Sequence, residues 1–237
     1  MSTYVFAAPG QSVVPVQGGD GLFPVRRVYC VGRNYADHAR EMGHSGREAP
    51  FFFCKPADAV LPLPEGRRLR LPYPGQTADL HHEVELVVAV GGHGRDLSPE
   101  DAARRIWGFG VGLDLTRRDL QAQMKQQSRP WEIGKAFDSS APVSALRPVA
   151  RTGILDRGRI WLDVNGQRRQ EGDLSAMIWS VPEILAHLSR YFALAPGDLV
   201  FTGTPAGVGA LVPGDVLGGG VDGVGKFTLE IVPGATA

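Results

Sequence analysis

The stretch LHHEVELVVAVG, residues 80–91, has the alternation of a strand, expected over 82–90. Successive side chains of an extended chain point to opposite faces. His82, Val84, Leu86, Val88 and Val90 therefore share one apolar face, while Glu83 and Glu85 project together from the other. Val87 and Ala89 continue the glutamate face as apolar, so it is not simply the wet one. A solvated strand face is the plain alternative. Two like charges this close cost free energy unless something positive lies between them. A carboxylate pair at i and i+2 offers the oxygen ligands that Mg²⁺, Mn²⁺ and Ca²⁺ prefer.

Similar apolar runs recur along the chain at 26–32, 50–54, 108–116, 160–164, 199–203 and 225–232. Thirty-one glycines and eighteen prolines punctuate them, which argues for a β-rich fold with tight turns and few long helices. Asn165-Gly166 in DVNGQRR predicts a two-residue hairpin, because a type I′ turn needs positive φ at both central residues. LAPGDLVF and LVPGDVLG each read as a turn that launches a strand. Short helices are expected over 34–43 with Asn34 as N-cap, over 98–105 with Ser98 as cap, over 116–127 and over 181–192. In the last, Ile184, Leu185, Leu188 and Phe192 form one stripe.

Basic and acidic side chains number 25 each in 237 residues, so the overall charge points to neither nucleic acid nor a membrane surface, and a small molecule is the expected partner. The N-terminus lacks a basic segment followed by an apolar run, and no window approaches about 18 apolar residues, so a cytoplasmic protein is expected. Cys30 and Cys54 sit among apolar residues and read as two reduced core thiols.

Asp114 in GFGVGLDLTRRDLQ ends an apolar run, and a lone buried aspartate is expensive. Three buried acids from two strands become tolerable around one divalent ion, so Glu83, Glu85 and Asp114 form the candidate metal set. Asp119 reads as a first-turn helix acid. His38 and Glu41, at i and i+3, would share a helix face, where a carboxylate-oriented imidazole is a competent general base; an exposed polar face is the alternative. The glycine-containing run GHSGRE that follows suits a mobile lid. Lys135 lies between a glycine and an apolar pair, unusual for a solvated lysine. TGTPAGVG, 202–209, lacks the ending of a nucleotide loop and would instead bring backbone NH groups and the Thr204 hydroxyl to an anionic ligand. His44, His81 and His93 lack ligand spacing and read as structural.

From about Arg26 to the C-terminus, VGRNYADHAREMG, FFFCKPADAV, HHEVELVVAVG, GLDLTRRDLQ, KAFDSSAP and FTGTPAGVG resemble the fumarylacetoacetate hydrolase family, in that family's order. NYADHAREMG, RRDLQ and GDLSAMIWSVPEI look most like its fumarylpyruvate and other acylpyruvate hydrolases of gentisate-type aromatic catabolism. The resemblance implies a β-rich α+β fold, a mixed β-roll or sandwich, over 26–237, preceded by a β extension over 1–25. It also implies a homodimer and Mg²⁺ or Mn²⁺, with Ca²⁺ possible, on Glu83, Glu85 and Asp114. His38 and Glu41 match the dyad that activates water. Lys135 and Gln121 match positions near the substrate's oxo and carboxylate oxygens, Arg118 a neighbouring polar position, and Thr204 a loop that contacts the carboxylate. The implied activity is hydrolysis of the carbon–carbon bond of a 2,4-dioxo acid, with oxaloacetate decarboxylation as the alternative and a non-catalytic binding module as a third reading.

Overall fold

Strand Val84–Val90 is buried along its whole length. The structure, a computed structural model, describes residues 4–36 and 47–234. The strand lies inside an eight-stranded sheet, antiparallel to Asp198–Phe201 on one side and to Ile106–Leu113 on the other. Leu86, Val88 and Val90 join a core with Ile160, Leu162, Leu217 and Leu229 of a five-stranded sheet and with Ile184, Leu185 and Leu188 of helix Val181–Tyr191. On the opposite face, Val87 and Ala89 pack with Val143, Leu199 and Phe201, and with Val14 and Phe23 of the hairpin Val13–Pro15/Leu22–Pro24. Apolar layers on both faces explain why the sequence runs VVAV instead of alternating.

Three strand pairs are parallel: Ala141–Ser144 with Val60–Leu63, Asp198–Phe201 with Arg27–Gly32, and Gly225–Val232 with Arg68–Pro72. The sheets are therefore mixed. With eighteen strands and five short α-helices among the described residues, the fold is the expected β-rich roll. Asn165 and Gly166 have φ of 53° and 75° and join Arg159–Val164 to Gln167–Asp173 as the sequence predicts. Both Pro-Gly-Asp turns launch strands, Asp198–Phe201 and Val216–Val221.

Several expectations are corrected. The strand expected at 82–90 is broken at Glu83: Leu80–His82 pairs instead with Thr116–Arg117 and Gly209–Leu211 in a separate three-stranded sheet. The run 108–116 likewise ends as a strand at Leu113, and Asp114 N donates to Glu83 O at 2.9 Å across the point where the chain changes sheets. Leaving the ladder frees both acidic side chains to face inward together. Gly112 stands opposite Glu85, and a Cβ there would come within 2.7 Å of Pro142 O, so glycine lets the neighbouring strand close. Cys30 is a core thiol but Cys54 is exposed, because Phe51–Lys55 is a terminal strand of its sheet with one neighbour.

The helices at 99–103 and 181–191 start as expected, the first with Ser98 Oγ accepting from Asp101 N and the second with a Ser180/Glu183 capping box. Phe192 lies just past the helix end. The run 116–127 is a two-residue strand followed by helix Arg118–Gln126. Of the helix expected over 34–43, only 34–36 lie within the described residues. Asn34 Oδ1 accepts from Trp179 N at 2.8 Å, and Nδ2 donates to Trp179 O and Thr202 O, so the buried amide ties this segment to two distant loops.

Candidate active site

Glu83, Glu85 and Asp114 converge at the sheet switch, and each offers a carboxylate oxygen within 4.8 Å of the others. All three are buried. Glu83 accepts from Lys135 Nζ at 2.9 Å on Oε2 and from Arg118 on Oε1. Burial pushes its carboxyl up, but Lys135 and Arg118 outweigh that and hold it well below the ordinary carboxylate range. Glu85 has a different environment. It accepts from Gly203 N at 2.7 Å, and among the described residues no cation pairs with it. Burial, then the carboxylates of Asp114 and Glu83, push its acid strength far down and its pKa well up.

Lys135 ends the short helix Glu132–Lys135, and its Nζ donates to Asp114 Oδ2 at 2.6 Å as well as to Glu83. A Cβ on Gly134 would lie 2.9 Å from Gln121 N, so the residue before the lysine must be small for this helix to lie against Arg118–Gln126. Burial lowers the Lys135 pKa, but Asp114 and Glu83 more than reverse that and keep the ammonium charged. Lys55 Nζ lies 2.9 Å from Asp114 Oδ1, in ion-pair range but without hydrogen-bonding alignment, which leaves that oxygen with no hydrogen bond. Its protons go to the carbonyls of Leu115 and Lys135.

Arg118 donates to Gln121 Oε1 at 2.5 Å and to Glu83. Its Nε lies 3.4 Å from His81 Nδ1, and His81 Nε2 in turn contacts Asp79 at 2.9 Å. His81 thus steadies a site residue. Thr204 lines one cleft with Glu83, Glu85, Asp114 and Lys135, but its hydroxyl donates to Val84 O and accepts from Gln170 Nε2, both at 2.8 Å. Gln170 Oε1 also contacts His82 Nδ1 at 2.8 Å and accepts from Val84 N at 3.1 Å. One fully buried amide therefore fastens the glycine-rich loop to the start of strand Val84–Val90. Sequence reasoning does not find Gln170, which sits in the polar run QRRQEGD. The run Phe51 to Lys55 reads in the sequence as either structural or pocket-lining, which does not single out Lys55, although a lysine closing the aromatic run FFFCK is a usable hint. His38, Glu41 and His44 lie outside the described residues.

The donor set suits a hard divalent cation. Three buried carboxylates from two chain segments, one without a cationic partner and another with an oxygen lacking a hydrogen bond, have lone pairs that such an ion would fill. Above them opens a cleft of about 580 Å³, including its mouth, with Phe51, Phe53 and Trp131 on its wall.

The family described as fumarylacetoacetate (FAA) hydrolase C-terminal matches residues 27–232. The fumarylpyruvate hydrolase from Pseudomonas aeruginosa, whose crystal structure is a complex with Mn²⁺ and pyruvate, is 52% identical and superposes with a TM-score of 0.96, covering 98% of this chain and all of that one. Oxaloacetate tautomerase YcgM of Escherichia coli is 44% identical over 196 residues, 82% of this chain and 88% of the relative. The mitochondrial oxaloacetate decarboxylase of Dictyostelium discoideum is 38% identical over 199 residues, 84% of this chain and 90% of the relative.

Proposed function

The chain belongs to the fumarylacetoacetate hydrolase family, and from that premise we propose that it hydrolyses the carbon–carbon bond of a 2,4-dioxo acid, fumarylpyruvate giving fumarate and pyruvate. The observation that carries this reading is the convergence of Glu83, Glu85 and Asp114 beside the charged Lys135 at the base of an aromatic cleft. These three residues would hold Mg²⁺ or Mn²⁺, whose charge supplies Lewis acidity for a 2-oxo acid.

The chain's own residues do the rest. Arg118 and Gln121, already bonded to each other, would receive the substrate's oxo and carboxylate oxygens. Gln170 holds the Thr204 loop, so the loop's backbone NH groups, with the Thr204 hydroxyl engaged elsewhere, would meet the carboxylate. His38, oriented by Glu41, would take the proton of a water molecule as its oxygen bonds to C4. The C3–C4 bond then breaks, its electron pair passes to C3, and the negative charge spreads onto the C2 oxygen near Lys135. Protonation of C3 completes pyruvate, and C4 leaves as the acid of the acyl side. The protein would act as a homodimer in the cytoplasm, in aromatic catabolism.

A second reading is favoured by the oxaloacetate tautomerase and decarboxylase relatives. Oxaloacetate shares the 2-oxo acid end, and neither its tautomerisation nor its decarboxylation needs water to attack carbon. Parallel assays decide. Loss of the 2,4-dioxo absorbance of fumarylpyruvate, abolished by chelator and restored by Mg²⁺ or Mn²⁺, is expected. Turnover of oxaloacetate alone would replace the first reading with the second.

A further inference from the structure

Arg33 has φ of 59°, a left-handed conformation uncommon for a residue with a side chain, and it lies on the wall of the active-site cleft. Its guanidinium carbon lies 5.5 Å from the centroid of the Phe51 ring. Trp131 meets Phe51 edge-on at 5.7 Å and Phe53 at 6.0 Å, so three aromatic rings in mutual contact share the cleft wall with the acids. Lys125, exposed on helix Arg118–Gln126, lines the same cleft.

The charges of the cleft are unevenly matched. Glu83 and Asp114 are paired with Arg118, Lys135 and Lys55 in the buried part. Among the described residues, no carboxylate pairs with Arg33 or Lys125. The cleft wall therefore carries two cations, Arg33 beside the Phe51 ring and the exposed Lys125, without a carboxylate partner among the described residues. That arrangement complements a ligand with a planar middle and an anionic far end.

We infer that Arg33 and Lys125 bind the terminal carboxylate of a flat, unsaturated acyl chain, so that the cleft selects 2,4-dioxo acids carrying a carboxylate at both ends. This rests on the acylpyruvate reading above and specifies its acyl group: fumaryl is favoured over acetyl because only the former has an anion to offer the rim.

The test is the ratio of kcat/KM on fumarylpyruvate to that on acetylpyruvate. Arg33→Asn keeps a side chain that tolerates positive φ while removing the charge. In Arg33→Asn/Lys125→Gln the ratio is expected to fall about 10- to 100-fold, through KM for fumarylpyruvate, the scale of a lost charged hydrogen bond. Arg33→Lys should restore part of it. Lys125→Gln, on an exposed helix face, should lower the ratio alone if the Arg33 variant fails to fold. An unchanged ratio overturns the inference. If the wild type hydrolyses neither compound, the acylpyruvate reading falls, and the rim is judged by calorimetry of the Mn²⁺-loaded protein with fumarate and crotonate, which differ at one terminus. Tighter fumarate binding that is lost in the double variant supports the rim; equal binding of the two acids overturns it.

Discussion

Lys55 Nζ sits 2.9 Å from Asp114 Oδ1, and neither side chain has appreciable contact with solvent. Because the same ammonium also donates to the carbonyls of Leu115 and Lys135, it joins the segment carrying the aspartate to the helix carrying the second lysine. Removing one member of a buried ion pair typically costs about 3–5 kcal/mol, since the other charge is left without compensation. Lys55→Met is therefore expected to lower unfolding stability by roughly that amount. Lys135 still bonds Asp114 Oδ2, which places the loss towards the lower end of the range. Denaturant unfolding measures it, and a loss below about 1 kcal/mol would show that the pair is worth no more than a surface one.

Glu85 is expected to behave in the opposite way from Lys55. Its carboxylate is buried, repelled by two others and without a cation among the described residues, so in metal-free protein it destabilises the fold. Glu85→Gln keeps an oxygen to accept from Gly203 N and removes the charge. The metal-free variant should be at least as stable as wild type at neutral pH. Mn²⁺ at about a hundred times its dissociation constant should stabilise the wild type by about 2.7 kcal/mol and the variant by much less. Thermal unfolding with and without Mn²⁺ reads both effects. Equal stabilisation of the two proteins would remove Glu85 from the ligand set.

The sequence-to-structure relation explains which of these residues could be read in advance. Glu83, Glu85 and Asp114 stand out because charged residues inside apolar runs violate the local pattern, and burial of charge demands a reason. The Asn165-Gly166 hairpin was legible for a similar local cause, its backbone requirement. The break at Glu83 was not, because pairing partners far along the chain, Thr116 and Ala210 opposite His81, decide where a strand changes sheets. Gln170 was hidden in the same way: its four partners come from residues 82, 84, 204 and 205, and nothing in QRRQEGD distinguishes the one buried side chain from its exposed neighbours.

His38 separates the two proposed chemistries. If it accepts a proton from water, His38→Ala should reduce fumarylpyruvate hydrolysis by roughly 10²- to 10⁴-fold. Decarboxylation of oxaloacetate, in which no water attacks carbon, should fall by a smaller factor in the same variant. Steady-state rates on both substrates with purified protein decide this, and hydrolysis at the wild-type rate would exclude the histidine as the base.

Glu183 offers a stability prediction away from the active site. Its Oε2 accepts from Ser180 N at 2.9 Å and from Ser180 Oγ at 2.7 Å, closing the capping box of helix Val181–Tyr191, while Oε1 pairs with Arg47. Burial raises the pKa of this carboxyl, but the bonds from Ser180 and Arg47 outweigh it and hold it below the ordinary glutamate value of 4.5. A depressed folded-state pKa means that the unfolded chain binds the proton more readily, so the contribution is complete above the unfolded value and disappears as pH falls through the folded one. Glu183→Ala should cost about 1 kcal/mol at pH 7, which for a chain of this size lowers Tm by about 2–4 °C. The gap between wild type and variant should narrow as pH is lowered below about 4.5. A gap that stays constant down to acid pH would mean that the carboxylate's charge adds nothing to the cap.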